Sequence, residues 1–130
     1  MIRSTFAFTT MLIALALLVA GCGEKSTDSD EHAIEITMTY TPTSATVNTP
    51  INFLFEVEDE GEHLGGLSPH VEIEKEGATD HVEMTVSEDT DDPGHYRGTH
   101  TFTEAGSYDI HFEFMHDGDD VDEEFQITVQ

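Results

Sequence analysis

Eight histidines in a chain of 130 residues are the side chains best suited to chemistry. His95, His100, His111 and His116 fall within one short stretch, GHYRGTHTFTEAGSYDIHFEFMHDG. Neutral imidazole is a good ligand for copper and zinc, which exported proteins encounter. The same stretch alternates aromatic and polar residues as a β-strand does. These histidines are therefore either metal ligands or part of the polar face of a sheet.

Strand parity predicts which side chains can meet. His70 and Glu72 alternate with apolar residues on one predicted strand, and His111 and Glu113 do so on a later one. Because successive side chains point to opposite faces, all four should face outward. The two strands are the third and sixth in the chain, which are neighbours in an immunoglobulin-type sandwich. Cross-strand contact between the two pairs is therefore expected.

The other histidines differ in their predicted positions. His116 and Met115 lie at the hairpin end of the sixth strand, where a thioether would favour Cu(I). His81 should face outward on the fourth strand. His100 shares the core-side parity of its strand, where a satisfied, partly buried histidine is the ordinary expectation. The remaining three are expected to be exposed: His32, His63 and His95.

The metal hypothesis takes five histidines as ligands, with two carboxylates and one thioether as auxiliary donors: His70, His81, His100, His111, His116, Glu72, Glu113 and Met115. The metal would be copper or, as the alternative, zinc. Binding should fade as the pH falls through about 6.5, because imidazole must be deprotonated. A plain polar sheet surface remains the other interpretation, since no HxxxH or CxxC spacing occurs.

The opening sequence MIRSTFAFTTMLIALALLVAGC has the layout of a secretory signal, with Arg3 followed by an apolar run that ends in small residues. Its last five residues, LVAGC, resemble the lipobox of bacterial lipoproteins. The resemblance implies cleavage before Cys22 and lipidation of that residue. Cys22 is the only cysteine, so intramolecular disulfides are excluded and a cupredoxin-type copper centre is disfavoured.

These features predict three segments. Residues 1–21 are the lipoprotein signal peptide, residues 22–32 are the lipidated cysteine and an acidic flexible tether, and residues 33–130 are the folded domain. The protein should therefore lie on the extracytoplasmic face of the cell membrane. Its contact with that membrane would be made through the lipid anchor.

The charge is strongly negative, with 28 acidic residues and a formal net charge of −24. Nucleic acid is excluded as a partner because its phosphates would be repelled. The acidic surface serves either to solvate the domain or to collect cations, and the two roles are compatible. The segment DGDDVDEE lacks the ligand spacing of an EF-hand, so calcium binding is not expected.

Apolar residues recur with period two from Ala33 onward, and no window of eleven or more residues carries a helical stripe. About seven short strands separated by turn residues predict an all-β, immunoglobulin-like antiparallel sandwich. Tyr108 stands where such sandwiches have a tyrosine corner, although core packing explains it equally well. Met84 is expected in the core. The Asp117–Gly118 pair predicts a tight hairpin.

Catalysis is not expected. The only cysteine is assigned to lipid, and no GxSxG elbow occurs. Pairs of carboxylates are so common in this acidic chain that they do not indicate a catalytic site. The prediction is therefore that the protein is not an enzyme.

Three segments of the sequence resemble the YtkA-like domain family, relatives of the FixH proteins found in small bacterial lipoproteins: PHVEIEKEG, HVEMTV and PGHYRGTHTFTEAGSYDIHFEFMH. The resemblance implies a β-sandwich and a link to copper handling around respiratory oxidases. Four histidines match the family pattern: His81, His100, His111 and His116. The acidic DGDDVDEE segment departs from it, which argues against a methionine-rich copper site.

Two functions follow as expectations. The first is a lipid-anchored extracytoplasmic protein that binds a transition metal and delivers or buffers it near the membrane, with an envelope or respiratory-oxidase assembly protein as partner. The alternative is a metal-free interaction module of the cell envelope, whose acidic loops steer a basic partner.

Overall fold

The computed structural model describes residues 33–130, which form nine β-strands. Their bounds are β1 Ile34–Thr41, β2 Pro50–Asp59, β3 Glu62–His63, β4 His70–Lys75, β5 His81–Glu83, β6 Val86–Glu88, β7 His95–Thr101, β8 Gly106–His116 and β9 Asp119–Val129. Within this range no helix is long and apolar enough to cross a membrane. The predicted signal peptide, tether, Cys22 and His32 lie outside the described residues.

The strands form two antiparallel sheets packed face to face. Sheet A has the order β1-β2-β7-β6, with β3 added to β2, and sheet B has the order β5-β4-β8-β9. Immunoglobulin sandwiches place strands A, B, E and D in one sheet and C, F and G in the other. With β5 as an additional edge strand, the observed order is the same. The predicted all-β sandwich is confirmed, with nine strands instead of about seven.

The alternation of Val82, Met84 and Val86 predicts a single fourth strand, but these residues belong to two short strands in different sheets and the residue between them. β5 pairs with β4 in sheet B, whereas β6 pairs with β7 in sheet A. The chain crosses between the sheets at Met84, which is buried as predicted and whose N–H donates to the carbonyl of Val71 at 2.8 Å. Val82 is left 53% exposed at the sheet edge. Apolar and polar residues keep alternating from Val82 to Val86, so the sequence pattern could not reveal that the chain changes sheets there.

The alternating apolar residues Phe125, Ile127 and Val129 predict a final strand, which is longer in the structure than this pattern indicates. β9 begins at Asp119 and not near Phe125, so most of the acidic segment DGDDVDEE belongs to a strand paired with β8. The predicted tight hairpin is confirmed, since Asp117 and Gly118 alone connect the strands, with φ of 50° and 93°. Two consecutive residues with positive φ are the signature of a type I′ turn, whose twist matches that of the flanking strands.

The core lies between the sheets and is rich in phenylalanine. Phe55 of β2 stacks on Phe112 of β8 with ring centroids 4.6 Å apart, which joins the two sheets. Burying a phenylalanine contributes about 1.5–3 kcal/mol. At the start of β8, the hydroxyl of Tyr108 donates to the carbonyl of Glu104 at 2.7 Å. This bond to the backbone four residues upstream confirms the tyrosine corner.

Candidate metal centre

The outer face of sheet B carries the predicted histidine and carboxylate pairs. β4 and β8 are adjacent, as predicted, with His70 opposite Glu113 and Glu72 opposite His111. On the other side of β4, Glu72 lies opposite Glu83 of β5. Glu72 therefore has a partner on each side, because its strand runs between β5 and β8.

Three of these side chains converge on one point. Nε2 of His70 lies 3.0 Å from Oε1 of Glu72 and 3.6 Å from Oε1 of Glu83. One ligand atom from each of the three residues lies within 4.8 Å of the others. Ligand atoms about 2.0–2.2 Å from a tetrahedral ion lie roughly 3.3–3.6 Å apart. Small side-chain movements would therefore allow all three to contact one ion.

Glu72 is the centre of this group. Besides its contact with His70, its Oε1 lies 3.6 Å from Nε2 of His81 on β5. The hydrogen bond from His70 lowers the pKa of the Glu72 carboxyl, and nearby His81 and His111 lower it further. The same bond raises the pKa of His70, with Glu83 and Glu113 adding to the effect. Glu72 is thus held as a carboxylate beside three imidazoles.

The cluster is open to water. The side chain of His70 is 46% exposed and that of Glu72 is 30% exposed. An ion could reach the three ligand atoms without a change of fold, and water would complete its coordination. The arrangement suits an exchangeable ion better than a permanent structural one, since structural zinc sites are closed by four protein ligands.

His111 lies beside this group and also faces β9. Its Nδ1 is 3.8 Å from Asp122, and its Nε2 is 3.7 Å from Glu124. These separations are too long for hydrogen bonds. The His111 ring therefore stands between the Glu72 carboxylate and two carboxylates of β9.

His100, His116 and Met115 are not brought into the cluster. His116 has the inward parity of β8, and its Nε2 lies 3.5 Å from Oδ2 of Asp59 on β2. His100 lies on the core side, as expected, with its ring edge-on to Phe102 at 4.6 Å. Met115 is exposed about 7 Å further along β8 than Glu113. Among residues 33–130, neither His100 nor His116 belongs to a group of three or more histidine, cysteine, aspartate and glutamate ligand atoms that lie within 4.8 Å of one another.

Sequence reasoning overlooked Glu83. It stands two residues after His81 and shares its outward parity, so the β4–β5 hairpin brings both beside β4. That spacing was visible in the sequence. What the sequence did not show was that the strand pairs with β4 only as far as Glu83.

The prediction that His95 is exposed was wrong. His95 is 7% exposed, and its ring lies against that of His63 on β3, with the ring centroids 4.8 Å apart. Burial lowers the pKa of His95, whereas the hydrogen bond to Glu56, the charges of Asp92 and Glu56 and the backbone of Pro93 together raise it by more. The net effect is a pKa above the ordinary value.

No protein-family model matches the chain, and no curated protein is significantly similar to it. The resemblance to the YtkA-like family therefore stays a prediction.

Proposed function

We propose that this protein binds an exchangeable divalent transition metal, Cu²⁺ or Zn²⁺, on the outer face of sheet B. His70, Glu72 and Glu83 are the ligands, and His81 and His111 stand beside them as further nitrogen donors. The observation that carries the proposal is the convergence of the first three within 4.8 Å. The role is to buffer or deliver the ion in the cell envelope.

The donor set favours a divalent ion over Cu(I). Two carboxylate oxygens and an imidazole nitrogen are hard and borderline donors, whereas Cu(I) prefers thiolate and thioether sulfur. Met115, the exposed thioether on the same face, lies beyond the end of β4. Between divalent ions, Cu²⁺ generally binds such sites more tightly than Zn²⁺.

The location proposed is the extracytoplasmic face of the membrane, through a lipid on Cys22. The support is sequence alone: a basic residue, an apolar run and LVAGC at the start of the chain. A lipid anchor would hold the domain near the bilayer, where an acceptor protein for the ion could reach it.

Metal titration of the full chain in detergent against competing chelators tests the proposal, with Cu²⁺ and Zn²⁺ as separate probes. The decisive variant is Glu72→Gln, which removes the central carboxylate. We expect this variant to bind the ion on this face at least tenfold more weakly. Even residues that only orient a metal ligand through a hydrogen bond typically contribute about tenfold or more to metal affinity.

Glu74→Gln is the matched control. Glu74 lies on β4, shares the outward parity of Glu72 and is likewise half-buried, but it is not part of the converging group. It should leave the affinity nearly unchanged. Equal losses in the two variants would indicate diffuse attraction of cations by an acidic face and would contradict the proposed site. That outcome would favour the metal-free interaction module instead.

A further inference from the structure

Strand β1 lies at the edge of sheet A and is paired on one side only. It pairs with β2 residue by residue, from Ile34 opposite Asp59 to Thr41 opposite Asn52, and no other strand of residues 33–130 pairs with it. Proteins usually protect such edges with charges, prolines, bulges or short strands, because an open edge can pair with another chain. β1 is eight residues long, contains no proline or bulge, and carries one charge, on Glu35.

The long edge strand of sheet B is protected where β1 is not. Of the eleven residues of β9, five are acidic: Asp119, Asp120, Asp122, Glu123 and Glu124. The chain just after β9 is also covered, since the N–H of Gln130 donates to the carbonyl of Ala45 and its carbonyl accepts from the N–H of Val47, both at 2.9 Å. The other edge strands, β3, β5 and β6, have two or three residues each. β1 is therefore the one long edge that the described part of the chain leaves open.

The open side of β1 presents a regular row of backbone donors and acceptors. On β2, the N–H of Val57 donates to the carbonyl of Gly94 beside β7, so the adjacent Glu56 bonds toward β1, where its partner is Thr37. The bonding direction alternates along a strand. The residues of β1 whose N–H and C=O groups point to the open side are thus those with inward side chains: Ile34, Ile36, Met38 and Tyr40.

The inward side chains of these four residues are incompletely covered. They pack against the core but stay partly exposed, whereas Phe53 and Phe55 on the neighbouring β2 are at most 2% exposed. An added strand with apolar side chains at alternate positions would cover them while its backbone bonds to β1. In this mode of recognition, the main-chain bonds give affinity and the alternate side chains give specificity.

The outward side chains of the added strand would meet negative charge. A hollow of about 140 Å³ lies on the outer face of sheet A beside β1, and four residues line it: Glu35, Thr37, Glu56 and Glu58. The lysine and arginine of the described residues are paired elsewhere, Lys75 with Glu104 and Arg97 with Asp89. A basic side chain on the added strand would therefore find three carboxylates and no competing lysine or arginine.

A second copy of this chain is a poor occupant of the edge. The short link between β5 and β6 joins one edge of each sheet, so the opposite edges, β1 and β9, lie on the same side of the sandwich. Pairing two copies along β1 would bring their acidic β9 strands toward each other, with a formal net charge of −24 on each chain. Like charges facing each other oppose association, whereas a basic partner is attracted.

We propose that β1 is a docking edge for an extended, basic segment of a partner protein, in which lysine or arginine alternates with apolar residues. The segment adds a strand to sheet A, its apolar side chains cover the inward residues of β1, and a basic side chain enters the hollow beside Glu35. The edge shares no residue with the cluster on sheet B, so this inference is independent of the metal proposal.

Amide hydrogen exchange measured by NMR tests the docking edge, on the full chain in non-ionic detergent at low salt. The probe is a synthetic peptide, KVKVKVK, and the control peptide, KKKKVVV, has the same composition without alternation. At saturating KVKVKVK we expect exchange of the N–H groups of Ile36 and Met38 to slow at least tenfold, while those of Thr37 and Thr39, already directed to β2, change little. KKKKVVV should not slow them.

Three outcomes of this experiment would overturn the proposal. One is the absence of KVKVKVK binding at millimolar concentration, and another is binding that leaves exchange at Ile36 and Met38 unchanged. The third is slow exchange of these two groups without peptide that becomes slower as the protein concentration rises, which would show that a second copy occupies the edge.

Glu35→Lys provides the second measurement. Glu35 is exposed and lies opposite Glu58, so a lysine there replaces two facing carboxylates with an opposite-charge pair and should preserve the fold. We expect KVKVKVK to bind this variant about fivefold more weakly or worse, because attraction in the hollow becomes repulsion. Glu76→Lys, an equal change of charge at an exposed turn after β4, is the control and should alter binding less than about twofold. Equal losses would indicate diffuse attraction to the acidic surface and would contradict the docking edge.

Discussion

His70 points outward from its strand and His100 points toward the core. Their surroundings shift their pKa values in opposite directions. His70 points to solvent and contacts two carboxylates, so its pKa is raised, chiefly by the hydrogen bond to Glu72. His100 packs edge-on against Phe102, and burial lowers its pKa. At the scale of the residue, the same side chain is therefore a candidate ligand at one position and part of the core at the other.

Lowering the pH should destabilise the protein in part through His100. Because its pKa in the folded state is below the unfolded value of about 6.5, the unfolded chain binds the proton more readily. The stability it contributes is complete above pH 6.5 and is lost as the pH falls through the folded-state pKa. His100 lines a groove whose other titratable residues are Lys75, Asp80, Glu104 and Tyr108.

The measurement is the free energy of unfolding in urea at several pH values between 7.5 and 4.5, for the wild type and His100→Leu without added metal. We expect the wild type to lose more stability than the variant toward acid pH, because leucine cannot take up a proton. Parallel curves would show that His100 does not couple folding to protons.

The elements around β3 illustrate how the sandwich closes at one end. The hydroxyl of Tyr96 donates to the carbonyl of Leu64 and accepts from the N–H of Leu67, and the carboxylate of Glu88 accepts from the N–H groups of Gly66 and Gly94. The loop after β3 is thereby bonded to β6 and β7. Its glycines allow an approach that larger residues would prevent.

Gly94→Ala should destabilise the protein by about 2–5 kcal/mol, since a left-handed backbone cost adds to steric overlap with His63. Gly77→Ala is the matched control. Gly77 has φ of 80°, close to the 85° of Gly94, but a Cβ there would meet nothing within 4 Å. It should cost only about 1–2 kcal/mol. Equal losses in urea unfolding would mean that the β3–β7 approach is not tight.

The whole molecule is dominated by negative charge. With a formal net charge of −24, both described cations already lie beside acidic partners: Lys75 is 2.7 Å from Glu104 and Arg97 is 3.1 Å from Asp89. The remaining acidic residues repel one another across the surface. Such repulsion opposes the compact state and also concentrates cations around it.

Added salt should therefore stabilise the fold. The screening length falls from about 10 Å at 0.1 M to about 3 Å at 1 M salt, which removes most repulsion between exposed carboxylates. We expect the urea midpoint to rise with NaCl, and to rise less in a variant with Asp122→Asn and Glu124→Gln on β9. A midpoint independent of salt, or the same slope in the variant, would contradict this expectation.

Much of the fold was predictable from local patterns. Apolar residues of period two placed most strands, glycine and proline marked the turns, and Asp117–Gly118 indicated its hairpin. The pairing of His70 and Glu72 with His111 and Glu113 followed from parity and an assumed strand order. The sequence pattern predicted one strand where the structure has two, β5 and β6, in different sheets. The pattern is the same in both cases because apolar and polar residues keep alternating where the chain crosses at Met84.

The sequence by itself determined the sandwich and the outward orientation of His70, His81 and His111, because side-chain alternation is a property of each strand alone. Only the tertiary structure decided which donors converge. Glu83 joined His70 and Glu72 through the register of β5, and His95 became buried against Glu56 and His63 through β3. Register and coverage depend on contacts between residues far apart in the chain, which local alternation does not encode.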